Sequence, residues 1–221
     1  MSEIVRVFLD TETTGLSTTQ KDEHGFHRIV EIGCVKTVNG CVQDKFHCYV
    51  NPGRPVPARA QEVHGLTQSF LSQFQPFEKI YQSFVDFVKG HVLVIHNARF
   101  DMEFLNWELF QLQQEPLDNP VEDTLVLARK KFPGSPASLD ALCRRFRIDL
   151  SQRSYHGALL DAQLLREVYQ EMFKEQAVLN FSAQVSAEQI DRPRVVRAPR
   201  SFDISPKEAE DHETALLNLK K

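Results

Sequence analysis

Strands come before helices in this chain. Ile4–Leu9, Arg28–Val35 and Cys41–Val50 are short runs rich in Val, Ile and Phe, residue types suited to a pleated, half-buried surface. Asn39-Gly40, between the second and third runs, is a two-residue hairpin signal. Helical spacing begins only later, where Phe77, Ile80, Phe84, Phe87 and Val88 recur at three- and four-residue intervals. His91–Ile95 then reads as a further apolar strand and Phe100–Leu112 as a helix. Thr124–Lys131 and Ser138–Phe146 read as two more helices, divided by the breaker Pro133-Gly134. A long last helix carries Leu160, Leu164, Val168 and Met172 at i, i+4 intervals. Strands first, then strand–helix alternation, specify an α/β fold with a mixed sheet. The strand order is not contained in this pattern.

The aromatic residues show where the core ends. Of 16 phenylalanines, 4 tyrosines and 1 tryptophan, only Phe202 lies beyond residue 181. A segment so poor in aromatics builds no core of its own, so the chain divides into a domain over 1–175 and a tail over 176–221. No apolar run approaches the roughly 18 residues of a membrane span. Charges in the first ten residues argue against an export signal. Cys34, Cys41, Cys48 and Cys143 lack C-x-x-C spacing, so reduced thiols in the cytoplasm are expected rather than zinc or disulfides. With 26 Lys and Arg against 30 Asp and Glu, the formal net charge is −4, the wrong sign for a simple electrostatic nucleic-acid binder.

Three groups of residues carry chemistry. Asp10 and Glu12 follow the apolar strand Ile4–Leu9, and at a spacing of two they point to one face of an extended chain. Like charges there repel unless a cation neutralises them, and hard divalent cations prefer oxygen ligands. The same pair also reads as a polar strand end entering a turn at Gly15. Asp101 follows the strand His91–Ile95 at the start of a helix, where a carboxylate is also favourable for the helix dipole. Asp161 lies on the apolar side of the last helix, a costly place for an unpaired charge. His156 falls just before that helix or within its first turn.

Asp10-Thr-Glu12-Thr-Thr-Gly15, His96-Asn-Ala-Arg-Phe-Asp101 and His156-x-x-x-x-Asp161, in this order, resemble the three motifs of the DEDD-type 3′→5′ exonucleases, in the branch that uses histidine. Val121–Arg129, Ser138–Cys143 and Tyr155–Ala162 extend the resemblance to the epsilon proofreading subunits of bacterial DNA polymerase III, nearly continuously over residues 4–173. The resemblance implies a ribonuclease H-like fold, a central mixed sheet flanked by helices. It also implies metal-dependent removal of mispaired nucleotides from DNA 3′ ends, released as nucleoside monophosphates. Asp10, Glu12, Asp101 and Asp161 would hold two Mg²⁺ or Mn²⁺ ions, which would offset four negative charges where a phosphate must sit. His156 would take the proton of the attacking water, a task suited to a histidine.

By the same resemblance, Thr13, Leu16, His64, Asn97 and Phe100 join Asp10, Glu12 and Asp161 in binding the single-stranded 3′ end. Phe100 would stack on a base, Leu16 would wedge between terminal bases, and His64 would contact a phosphate. Read by themselves, Phe100 and Leu16 are also core residues and His64 a loop hydrogen-bonding group. Asn97 and Asp123 are expected to organise the site. Arg59 stands where epsilon subunits often have glutamate, so no sugar contact is carried over to it.

In the tail, Gln176, Leu179 and Phe181 resemble a sliding-clamp peptide, and also fit a frayed last helical turn. Ser205-Pro206-Lys207-Glu208 reads as a capping box opening a helix over about 206–219, expected to dock on the polymerase alpha subunit. Arg192, Arg194, Arg197 and Arg200 read as a solvated linker or a nonspecific DNA contact. A small accessory subunit and a cytoplasmic, replisome-associated setting complete what the resemblance implies. Two rival readings use the same residues. One is a free-standing enzyme trimming RNA 3′ ends. The other is a non-catalytic tether between clamp and polymerase, against which the intact carboxylates and His156 argue.

Overall fold

The structure, a computed structural model, describes the backbone of residues 3–151, 153–188 and 207, and side chains through residue 174 and at Lys207. Met1–Leu179 form one compact unit and Asn180–Lys221 a second. The elements in order are β1 (Val5–Thr13), β2 (Lys21–Asp22), β3 (Gly25–Phe26), β4 (Ile29–Val38), β5 (Cys41–Tyr49), α1 (Ala58–His64), α2 (Gln68–Leu71) and α3 (Phe77–Val88). They continue with β6 (Val92–Ile95), α4 (Ala98–Gln111), β7 (Val121–Asp123), α5 (Thr124–Lys131), α6 (Leu139–Phe146) and α7 (Ala158–Glu188). Among the described residues, no helix is long and apolar enough to cross a membrane.

The main sheet has the order β5-β4-β1-β6-β7. β4 and β5 pair antiparallel through a turn in which Asn39 and Gly40 take φ of 51° and 84°, the positive values the hairpin signal requires. β1 pairs antiparallel with β4 and parallel with β6, and β6 pairs parallel with β7, so the sheet is mixed. The sequence expectation ends the first strand at Leu9, but β1 runs on to Thr13. Glu12 finds a cross-strand partner in Glu31, and Asp10 in Gly33. The two carboxylates therefore lie inside a strand rather than past its end. The short strands β2, β3 and β7 and helices α1 and α2 carry too few apolar positions to show a period.

Alternation along β1 divides the core in two. Val7 and Leu9 join Ile32, Leu93 and Ile95 in a cluster closed by Phe77, Phe84 and Phe104 of α3 and α4. Phe8 faces the other way, packing with Val35 and Val94 against Ala128, Leu142, Ala162, Leu165 and Val168 of α5, α6 and α7. Each fully buried large apolar side chain contributes roughly 1.5–3 kcal/mol. By the same alternation, Asp10 and Glu12 continue the face of Phe8, toward α7.

One contact sets how closely α7 approaches. Gly33, paired with Asp10, lies so near the first turn of α7 that a Cβ there would stand 2.2 Å from the Leu159 nitrogen and 2.3 Å from the Ala158 carbonyl carbon. No side chain fits between these two backbones, and an isolated glycine inside a strand is the signal of such an approach.

Gly33→Ala should therefore lower stability by about 2–3 kcal/mol, measured by urea denaturation. It should also reduce activity beyond the loss of folded protein, because α7 carries Asp161.

Candidate active site

The site lies where β6 ends, at the carboxyl edge of its parallel pairing with β1. Leu9 and Ile95 are the last pair in register; there the chain leaves β6, while β1 continues to Thr13 against β4. From β6 it turns through Asn97, in the left-handed region at φ 66°, into α4. The Asn97 side chain does not cap this helix. Asp123 does so from the end of β7, its carboxylate accepting the amides of Asn97 (3.2 Å) and Ala98 (3.0 Å). The same carboxylate caps α5 through Leu125 (2.9 Å) and Val126 (3.4 Å). Asp123 thus holds two helix starts at once. Asp101, one turn into α4, is buried, and its Oδ1 accepts from the Thr11 amide (3.0 Å) and the Thr11 hydroxyl (2.7 Å).

From the other layer, α7 brings Asp161, and the loop before it brings His156, which precedes the first helical residue Ala158. Ligand atoms of Glu12, His156 and Asp161 lie within 4.8 Å of one another, a group able to hold a metal ion. Asp10 and Asp101 lie outside this triangle but interact electrostatically with its members. The His156 backbone N–H donates to the Val63 carbonyl (3.1 Å), and the Tyr155 ring lies against Gly65, which ties the loop to the end of α1.

Burial and mutual repulsion make Asp10, Glu12 and Asp101 hard to ionise. Desolvation raises Asp10 well above its ordinary pKa, and Asp101, Glu12 and Asp161 add to the effect. Asp10 keeps some surface in contact with solvent but lies deep in the protein. Glu12 is raised to about 8 by burial, then by Asp161, Glu31 and Asp101. Burial raises Asp101 to about 7 against the opposing pull of the Thr11 hydrogen bonds. Arg153 opposes the rise at Asp10 and Glu12, donating to Asp161 through Nε (2.7 Å) and one terminal nitrogen (2.6 Å). A donor set of four carboxylates that repel one another in a buried place fits divalent cations.

Beside the carboxylates opens a cleft of about 590 Å³ lined by Glu12, Thr13, Leu16, Arg59, His64 and Phe100, among others. Thr13 is buried, its hydroxyl donating to the Gly15 carbonyl (2.6 Å). Leu16 is 79% exposed, which removes it from the core. Phe100 lines the cleft and also packs on Phe104, with ring centroids 5.0 Å apart. Arg59 is exposed at the cleft. His64 is 4% exposed, and its Nδ1 accepts from the Leu66 amide (3.0 Å). That bond places the ring proton on Nε2, which is buried without a hydrogen-bond partner. Burial lowers the His64 pKa, with Glu31 and the nearby Thr13 backbone pulling the other way.

The four cysteines are free, and burial raises Cys34, Cys48 (to about 12) and Cys143 (to about 11), so none of these three is a ready thiolate. The side chains of Gln176, Leu179 and Phe181 lie outside the described residues, although the backbone there is part of α7. The arginines 192–200 and the helix expected over about 206–219 also lie outside them, Lys207 excepted. Gly33, Thr11, Asp140 and Arg153 escaped the sequence reading. Only Gly33 carries a local signal, as a glycine between Ile32 and Cys34.

The exonuclease family typified by RNase T matches residues 7–169. The epsilon subunit of DNA polymerase III from Rickettsia typhi is 44% identical over 202 residues, covering 89% of this chain and 82% of that protein. The epsilon subunit from Escherichia coli K12 is 43% identical over 189 residues, covering 83% and 77%. This chain belongs to the epsilon-subunit family of exonucleases. Among solved structures, exonuclease X in complex with 5′ overhanging duplex DNA superposes with a TM-score of 0.61 at 23% identity, over 78% of this chain and 93% of that one. Escherichia coli exonuclease I in complex with a dT13 oligonucleotide gives 0.69 at 16% identity, over 81% and 43%. Both carry the same fold. As a family member the chain is a 3′→5′ exonuclease, and the family works with divalent metal ions.

The raised carboxyls give this site a pH signature. Folded, Glu12 and Asp101 retain protons that the unfolded chain releases above about pH 4–5. Stability therefore falls as pH rises toward 8. In EDTA, the melting temperature should be lower at pH 8 than at pH 5, and Mn²⁺ should raise it more at pH 8.

Proposed function

We propose that this chain proofreads DNA synthesis, removing mispaired nucleotides from single-stranded 3′ ends with two Mg²⁺ or Mn²⁺ ions held by Asp10, Glu12, Asp101 and Asp161. The observation that carries the reading is the convergence of Glu12, His156 and Asp161 within 4.8 Å beside a cleft lined by Thr13, Leu16, His64 and Phe100. Bound there, the ions would supply charge that stabilises the attacking and leaving oxygens of the displacement at phosphorus.

The chain's own residues do the rest. His156, about half exposed at the site's edge, receives the proton of the attacking water. Thr11 holds Asp101, and Asp123 holds the start of α4, so one carboxylate keeps its place when the others change partners. His64, with its proton fixed on Nε2, donates into the cleft to a phosphate oxygen of the terminal nucleotide. Leu16 reaches between the last two bases and Phe100 stacks on the terminal one, contacts that tolerate any base. Base-tolerant contacts suit proofreading, because a mispair is distinguished by its frayed end rather than its sequence.

The names of the relatives support a polymerase setting over free-standing RNA trimming. In that setting the alpha subunit binds the tail, the sliding clamp takes Gln176, Leu179 and Phe181, and a small accessory subunit joins the complex in the cytoplasm. Tethering raises the effective concentration of a 3′ end that an acidic protein binds weakly by itself.

The purified chain should shorten a 3′-mispaired DNA primer with Mg²⁺ or Mn²⁺, act slowly on RNA, and stop in EDTA. Asp10→Ala should abolish hydrolysis while leaving alpha-subunit binding intact. His156→Ala should lower kcat about 10²–10⁴-fold, whereas His64→Ala should act mainly on KM. Comparable turnover of RNA and mismatched DNA would overturn the proofreading assignment.

A further inference from the structure

Arg153 reaches the carboxylate cluster from the loop that also carries His156, and the proposed mechanism gives it no part. Its guanidinium is almost wholly buried, with 7% of the side chain exposed against 4% for Asp161. Nε donates to Asp161 Oδ1 at 2.7 Å and a terminal nitrogen to Oδ2 at 2.6 Å, a bidentate pair that uses both carboxylate oxygens. The same terminal nitrogen lies 2.8 Å from His156 Nδ1, and the other terminal nitrogen pairs with Asp140 of α6. One cation thus bridges a carboxylate of the cluster, the proposed base, and a carboxylate outside the cluster.

We infer that Arg153 is an internal counter-ion that competes with the divalent cation for Asp161 and withdraws toward Asp140 when the metal binds. This inference rests on the two-metal reading above. Any cation that uses Asp161 must bind an oxygen on which Arg153 already donates, beside a buried positive charge that repels it. Asp140, 36% exposed in its side chain, offers the guanidinium a second place to stay paired without leaving the protein. The same exchange resets His156. While Arg153 donates to Nδ1, the ring proton sits on Nε2. With Arg153 withdrawn, Nδ1 can donate to Asp161 Oδ2, 3.3 Å away, which leaves Nε2 with a lone pair for the water proton. Arg153 is therefore a positioning residue that couples cation entry to the tautomer of the base.

The test is Mn²⁺ binding by the full-length chain, followed calorimetrically at pH 8, with melting temperatures in EDTA. R153A should bind Mn²⁺ about 10-fold or more tightly than the unaltered chain, since one bidentate competitor is gone. It should also melt lower in EDTA and gain more on adding Mn²⁺. R153K, which keeps the charge but not the fork, should fall between the two. D140N should move affinity the other way, because Arg153 loses its alternative partner. A residue that only supports the loop would weaken metal binding when removed, so unchanged or weaker affinity in R153A and R153K overturns the inference while leaving the two-metal reading standing. An unaltered chain that binds no Mn²⁺ overturns both.

Discussion

The backbone of α7 rests on the backbone of β4 at Gly33, and the site's geometry depends on that contact. Gly33 pairs with Asp10, and the turn pressed against it is the one that carries Asp161 three residues later. Two layers of the fold are thereby held at the separation at which carboxylates from a strand and a helix share one cation site. A side chain at position 33 would separate them. The energy that holds them there comes from the apolar cluster below, where Phe8, Val35 and Val94 meet Ala162, Leu165 and Val168.

That packing comes with an electrostatic penalty. Asp10, Glu12 and Asp101 are drawn, with Asp161, into a region where burial and like charge hold those three back from ionising. The protein meets this cost locally with Thr11 on Asp101 and Arg153 on Asp161. Divalent ions held as proposed would match the remaining charge, and the formal net charge of −4 would then cease to be an objection to a nucleic-acid substrate. The attraction for phosphate is concentrated where the cations are, not spread over a basic surface.

The cleft is built by the same economy of connections. Asp123 caps both α4 and α5, so the end of β7 sets the position of Asp101. The loop carrying His156 is tied to α1 through Val63 and Gly65, on either side of His64. The proposed base and the proposed phosphate contact are consequently parts of one braced segment pair.

Much of this was legible in the residues. The hairpin at Asn39-Gly40 follows from the need for two positive φ values, and α5 covers the residues its pattern specifies, stopping before the breaker Pro133-Gly134. Glu12, His156 and Asp161 stand in the motifs that carry the family resemblance, and the structure brings them together. Asp10 and Glu12 were misjudged as lying beyond their strand because acidic residues are poor strand formers, and burial against β4 overrode that preference. Arg153 gave no signal, since a basic residue in a polar loop is ordinary until its partners are known. The sequence by itself determined which chemistry was possible, because oxygen ligands, an imidazole and an α/β pattern are properties of residue type and period. The strand order, the approach of α7 over Gly33, the proton placement on His64 and the pairing of Arg153 were decided only by the tertiary structure. The first two depend on contacts between residues tens of positions apart, and no local pattern encodes a distance across the core; the other two join nearer neighbours through loops whose shape only the fold fixes.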